Sequence, residues 1–149
     1  MEVNIATTPA EILNCYPIMV QLHPGLTEEE FLAQVQRQAK EGYRLAYLKD
    51  DGAIRAVAGF RLQEMLSRGR FLYIDDLVTD EGARSHGYGS ALFAWLVRYA
   101  RDQGCQRIEL DSGVHRHEAH RFYFAQGMHI SSYHFSLDLG LRSETSPQG

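Results

Sequence analysis

Arg84-Ser85-His86-Gly87-Tyr88-Gly89 stands between the run Phe71-Leu72-Tyr73-Ile74-Asp75-Asp76-Leu77-Val78 and a long amphipathic stretch, and this passage decides the fold. The first run is rich in β-branched and aromatic residues and predicts a strand, interrupted by two carboxylates. From Ser85 to Gln103, apolar or aromatic side chains recur at Tyr88, Ala91, Leu92, Trp95, Leu96 and Tyr99, the spacing of one helical face, with Gly104 as the stop. A turn that opens a helix presents unpaired N–H groups and the positive end of the helix dipole, which suits an anion such as phosphate. Gly87 and Gly89 let such a group approach the backbone, and Arg84 adds charge. Spacing excludes two other phosphate motifs. A dinucleotide GxGxxG from Gly87 needs glycine where Leu92 stands, and a Walker A loop from Gly82 needs Lys and then Ser or Thr where Tyr88 and Gly89 stand. A glycine-containing turn without a ligand is the plain alternative.

Working outward, Thr27-Glu28-Glu29-Glu30 forms a capping box for a helix with Phe31, Leu32, Val35 and Ala39 on one face and Gly42 as its stop. An earlier helix is expected over 9–20. Tyr43 to Lys49 and Ala53 to Leu62 read as a hairpin turned at Asp50-Asp51-Gly52. Beyond Gly104, Arg107 to Leu110 predicts a short strand and Arg116 to Gln126 a helix ended by Gly127. Strand, helix, strand implies a right-handed crossover. His129 to Leu139 reads as one or two further strands around Ser131-Ser132, and 143–149 as a polar, frayed tail.

The 149 residues suit one domain over 1–149, and 44% apolar with 23% charged residues can build a core without metal or disulfides. A net charge of −4 argues against binding nucleic acid or an anionic membrane, both of which require a positive field, and suits an amine substrate. Cys15 and Cys105 lack CxxC spacing. Without a basic and then apolar leader, or an apolar run near ~20 residues, a soluble cytoplasmic protein is expected. Six of the seven histidines follow residue 85, but His115, His117 and His120 lack the i, i+4 spacing of HExxH, so no metal site is expected. No ordered Cys/His/Asn set supports covalent catalysis at Cys105.

The Arg84–Gly89 hexapeptide resembles the central motif of the GNAT superfamily of acetyl-CoA-dependent N-acetyltransferases, Arg or Gln-x-x-Gly-x-Gly or Ala at the mouth of a helix. Ala119-His120-Arg121-Phe122-Tyr123-Phe124-Ala125-Gln126-Gly127-Met128 is similar to the later A-x-x-F-Y-x-x-x-G-F segment of that family. The resemblance spans about Tyr73 to Leu139. It departs at Arg116, where many relatives carry an Asn that contacts the cofactor, and at Met128 in place of Phe.

The resemblance implies an α/β (mixed α+β) GNAT-like fold, a twisted mixed sheet of six to seven strands flanked by about four helices. The sheet would splay at the strand before the loop. Acetyl-CoA would be the co-substrate, its pantetheine on the backbone of Leu77, Val78 and Thr79. Its pyrophosphate would meet the amides of Arg84, Ser85, His86, Gly87, Tyr88, Gly89 and Ser90. The activity implied is acetyl transfer to a primary amine by direct attack in a ternary complex, with a small-molecule acceptor favoured over a protein. A homodimer through the C-terminal strands is a further expectation at the level of the family.

The reaction needs a base for the amine, a stabilised oxyanion and a proton for the leaving thiolate. Likeness to polyamine-type relatives makes Asp75 the candidate base, acting through water. Asp76 is its rival, placed on the opposite face by strand alternation. Pairing of either with an arginine such as Arg70, or capping of a bulge, is the structural alternative. Backbone N–H near Leu77 or Val78 would serve the oxyanion. Tyr123 matches the family tyrosine aimed at the cofactor sulfur and is the candidate acid. The acceptor site would be shaped by the Gln21 to Gly25 loop and by Tyr133-His134-Phe135. A non-catalytic acyl-CoA-binding or protein-interaction module is the alternative function, but it would need the loop without both an acid and a base.

Overall fold

In the computed structural model, residues 1–141 are described. Strand β1 (Glu2–Ile5) leads to helices α1 (Pro9–Asn14), α2 (Tyr16–Leu22) and α3 (Glu28–Ala39). The antiparallel strands β2 (Arg44–Asp50), β3 (Ala53–Met65) and β4 (Gly69–Thr79) follow, then a 3-10 turn over 81–83, α4 (Tyr88–Asp102), β5 (Arg107–Leu110) and α5 (His117–Ala125). The sheet order is β1-β2-β3-β4-β5, antiparallel except for the parallel β4–β5 pair at the end of the crossover. Asp51 and Gly52, at φ 55 and 76, turn the β2–β3 hairpin with both central residues left-handed.

Strands β2, β3 and β4 divide their side chains between two cores. Leu45, Tyr47 and Val57 pack with Ile12, Met19, Phe31 and Val35 of the N-terminal helices. Ala46, Leu48, Ala58 and Phe60 pack with Leu92, Phe93 and Leu96 of α4. Among the described residues no helix is long and apolar enough to cross a membrane.

Several expectations are corrected. The helix over 9–20 is two helices, because Pro17 in the first turn of α2 has no N–H to give to a preceding turn and the chain reorients at Cys15. Helix α4 begins at Tyr88 rather than Ser85, because Ser85 and Gly87 adopt φ 71 and 79. Among the described residues the sheet has five strands, not six to seven, and five α-helices flank it, not about four. No strand forms over 129–139, although its residues alternate, because alternation states compatibility with a sheet and a strand also needs a partner ladder. Tyr133, Phe135, Leu137 and Leu139 are therefore 84–91% exposed. The predicted tail, 143–149, lies outside the described residues. Strand β1 was not legible, since four residues are too few for alternation to stand out.

Candidate active site

The site is built on a fault in β4. Ile74 belongs to the α4 core and Val78 to the N-terminal core, yet residues four apart in an unbroken strand share a face. The register supplies the cause: Phe60 pairs with Ile74 and Gly59 with Asp76, so Asp75 is an extra, bulged residue. The bulge reverses the alternation. It overturns the expectation that Asp75 and Asp76 lie on opposite faces, and both carboxylates line one cleft of about 350 Å³.

That cleft is walled by Met19, Leu26, Phe31 and Val35 on its apolar side and by His23, Tyr43, Tyr73 and the two aspartates on its polar side. Arg61 donates Nε to Asp75 Oδ1 at 3.1 Å and Nη2 to Oδ2 at 2.7 Å. Arg70, the expected partner, instead donates to the carbonyl of Gln103. Burial raises Asp75 above the ordinary carboxylate range despite the opposing guanidinium, and the nearby Asp76 adds to the rise. Loss of solvation outweighs a bidentate pair here because the carboxyl side chain keeps only 22% of its exposure. Asp76 Oδ1 lies 2.7 Å from Nε2 of His23, and Oδ2 accepts from the Tyr43 hydroxyl at 2.8 Å. Burial and then the Asp76 carboxylate hold the Tyr43 phenol well above its usual titration, so it stays a donor. Gly59 is required here, since any Cβ would overlap the Tyr43 hydroxyl and stand 2.7 Å from Asp76 Oδ2.

The expected splay is present. Strand β5 pairs with β4 only from Phe71 to Ile74, so from Asp75 to Thr79 the outward backbone groups of β4 face no strand. This open edge contains Leu77, Val78 and Thr79 and begins at the bulge. It runs toward the loop of residues 80–87, which is anchored where Gln21 donates to Asp80 Oδ1 at 3.0 Å and accepts from the Glu81 N–H at 2.9 Å. Gly87, left-handed at φ 79, offers no side-chain cap, so the first N–H groups of α4, from Tyr88 through Ser90, have no intrahelical acceptor. A Cβ on Gly89 would stand 3.1 Å from Thr79 Oγ1 and 3.3 Å from the Phe122 ring, which marks close approach of strand, loop and α5. His86 bonds the carbonyls of Ala83 and Arg84 through Nδ1 and stacks on Tyr88. Tyr88 donates to Asp50 at 2.7 Å.

Tyr123 is on α5, beside Phe122, whose ring meets Phe93 of α4 edge-on. Burial raises its phenol above the usual value, and a hydrogen bond from Arg116 opposes the rise. Arg116, which replaces the usual Asn, is thereby tied to the candidate acid. Of the two segments expected to shape the acceptor site, 21–25 lines the cleft through His23. The other contributes His134, whose Nδ1 lies 3.2 Å from Asp111, the carboxylate that accepts from Tyr73 in the cleft. His120 bonds the carbonyl of Gly113. Among the described residues no group of three or more His, Cys, Asp or Glu could hold a metal. Tyr43 and Arg61 carry no local signal in the sequence, because their roles come from strands that meet only in the sheet.

Residues 10–128 match the model of the acetyltransferase (GNAT) family. The chain is 38% identical over 131 residues to the uncharacterized N-acetyltransferase YhdJ of Bacillus subtilis (strain 168), covering 87% of this chain and 92% of that protein. It is 32% identical over 98 residues to the aminoalkylphosphonate N-acetyltransferase of Salmonella typhimurium, covering 65% of this chain and 62% of that one. Its fold is also that of AAC(6')-Iy, solved in complex with the bisubstrate analog CoA-S-monomethyl-acetylneamine. That similarity has a TM-score of 0.78 at 14% identity and covers 93% of this chain and 98% of that one. The chain belongs to the acetyltransferase (GNAT) family and is an acyltransferase.

Proposed function

We propose that the protein transfers the acetyl group of acetyl-CoA to the primary amine of a small molecule, by direct attack with both substrates bound. One observation carries this reading. The Asp75 bulge is at once the start of the open β4 edge and the polar wall of the cleft, so a ligand on the edge and an amine in the cleft would meet there. The outward backbone groups of Leu77, Val78 and Thr79, on the side away from β3, fit an amide-bearing chain. The uncapped loop from Arg84 to Ser90 fits a pyrophosphate. Acetyl-CoA brings a thioester with a good leaving group.

The chain's own residues then have four tasks. The backbone of β4 holds the thioester against the cleft. N–H groups near Leu77 or Val78 meet the oxyanion. Asp75, raised by burial and so a stronger base than an ordinary aspartate, takes a proton through water as the C–N bond forms. Tyr123, kept protonated by its burial, donates to the leaving sulfur. The two carboxylates favour a cationic acceptor. Cytoplasmic residence belongs to the same reading, and the two free cysteines accord with a reducing compartment.

A homodimer is also proposed. The segment 129–141 presents Tyr133, Phe135, Leu137, Leu139 and Leu141 at every second position, all exposed, while among the described residues β5 ends the sheet with an open edge. Segment and edge are complementary features of one chain, so a second copy can cover both.

Calorimetric titration with acetyl-CoA, followed by thiol release in the presence of an amine panel, tests the function. Binding with amine-dependent release is expected. Absence of binding would overturn the assignment of the edge and loop.

A further inference from the structure

An aliphatic amine titrates near ~10 and reaches a neutral cleft as an ammonium ion, which has no lone pair with which to attack. Two protons must leave the nitrogen on the way to an amide, one before attack and one as the C–N bond forms. Asp75 serves the second. Both its oxygens are engaged by Arg61, and the first proton has no assigned acceptor.

His23 has the geometry for it. It caps α2 and lines the cleft, with its Nε2 2.7 Å from Asp76 Oδ1. Asp76 is itself fixed, since Oδ2 accepts from Tyr43, a side chain only 2% exposed. With Nε2–H given to the carboxylate, the imidazole lone pair sits on Nδ1, the acceptor position of that tautomer. The charged or titratable groups facing this dyad are Tyr43, Tyr73 and Asp75 across the cleft, with Arg61 bound to Asp75. The α3 wall contributes the uncharged Gln34 and Gln38. The His23 side chain retains 20% exposure, a route for the proton to water.

We propose that His23, oriented by Asp76 and Tyr43, takes a proton from the bound acceptor ammonium onto Nδ1 and passes it to solvent, leaving a neutral amine to attack. The N–H bond of the ammonium breaks, an N–H bond forms on imidazole, and solvent regenerates the base. The inference rests on the N-acetyltransferase reading.

The test uses the full chain with ethylamine and 2,2,2-trifluoroethylamine, similar in size, the second already neutral near pH 7. His23→Gln keeps an amide donor for Asp76 and removes the base. Its kcat/KM for ethylamine is expected to fall about 10²-fold and to regain about tenfold per pH unit toward the amine's own titration. Trifluoroethylamine should stay within about threefold, because it has no ammonium proton to lose. Added imidazole should restore ethylamine turnover in His23→Ala. Asp75→Asn, acting during attack, should lower both amines alike. An equal fall for both amines in His23→Gln, or no fall, overturns the proposal. Acetyl-CoA binding without thiol release from the unaltered enzyme with either amine overturns the transfer reading and the proposal with it.

Discussion

Gly59→Ala probes whether the cleft wall depends on close packing beneath it. The added Cβ overlaps the Tyr43 hydroxyl and lies 2.7 Å from Asp76 Oδ2, and Tyr43 is buried among Met19, Phe31 and Val35 with little room to swing. Moving the phenol loses a hydrogen bond to a carboxylate, about 1.5–3 kcal/mol. Overpacking adds about 1–3 kcal/mol, and the usual gain from replacing a strand glycine returns about 0.5–1 kcal/mol. The net loss is roughly 2–5 kcal/mol, or about 5–20 °C in Tm for a chain of this size. Differential scanning calorimetry reads the Tm, and urea unfolding checks that the slope is unchanged. The double variant Gly59→Ala/Tyr43→Phe removes the overlapped oxygen, so its loss should be smaller than the sum of the single losses. A drop under about 2 °C, or strict additivity, would refute the packing argument.

The remaining predictions concern pH, chemistry and assembly. Because burial raises Asp75, the native chain keeps a proton that the unfolded chain has lost between the ordinary aspartate range and the raised value. Stability contributed by that proton is present below the window and lost as pH rises through it. Urea midpoints should show this slope flattened in Asp75→Asn and steepened in Arg61→Met, which removes the opposing charge. Tyr123→Phe should lower kcat by about 10- to 100-fold where chemistry limits the rate, with acetyl-CoA affinity unchanged by calorimetry. Unchanged turnover would remove Tyr123 as the acid. Phe135→Asp/Leu137→Asp should shift the mass measured by light scattering from two chains to one, and a monomeric unaltered protein would refute the dimer.

Legibility followed the range of the interaction. The capping box at Thr27, the hairpin turn at Asp51-Gly52, the stripe of α4 and the loop from Arg84 to Gly89 are written in residues a few positions apart, and each was readable. Motif resemblance carried the family and the open β4 edge. Register did not show. A bulge arises from how two strands pair, so nothing within Tyr73–Val78 discloses that Asp75 and Asp76 share a face.

The sequence by itself determined helices α3, α4 and α5, the strand-to-helix loop and the mixed α/β class, because backbone propensity, capping and amphipathic period act locally. Tertiary structure alone decided which charges meet. His23, Tyr43, Arg61 and the two aspartates come from a helix cap, a loop and two strands, separated by up to 53 positions in the His23–Asp76 pair. It also decided that 129–139 forms no strand, since a hydrogen-bonded ladder is a property of two segments and cannot be read from either one.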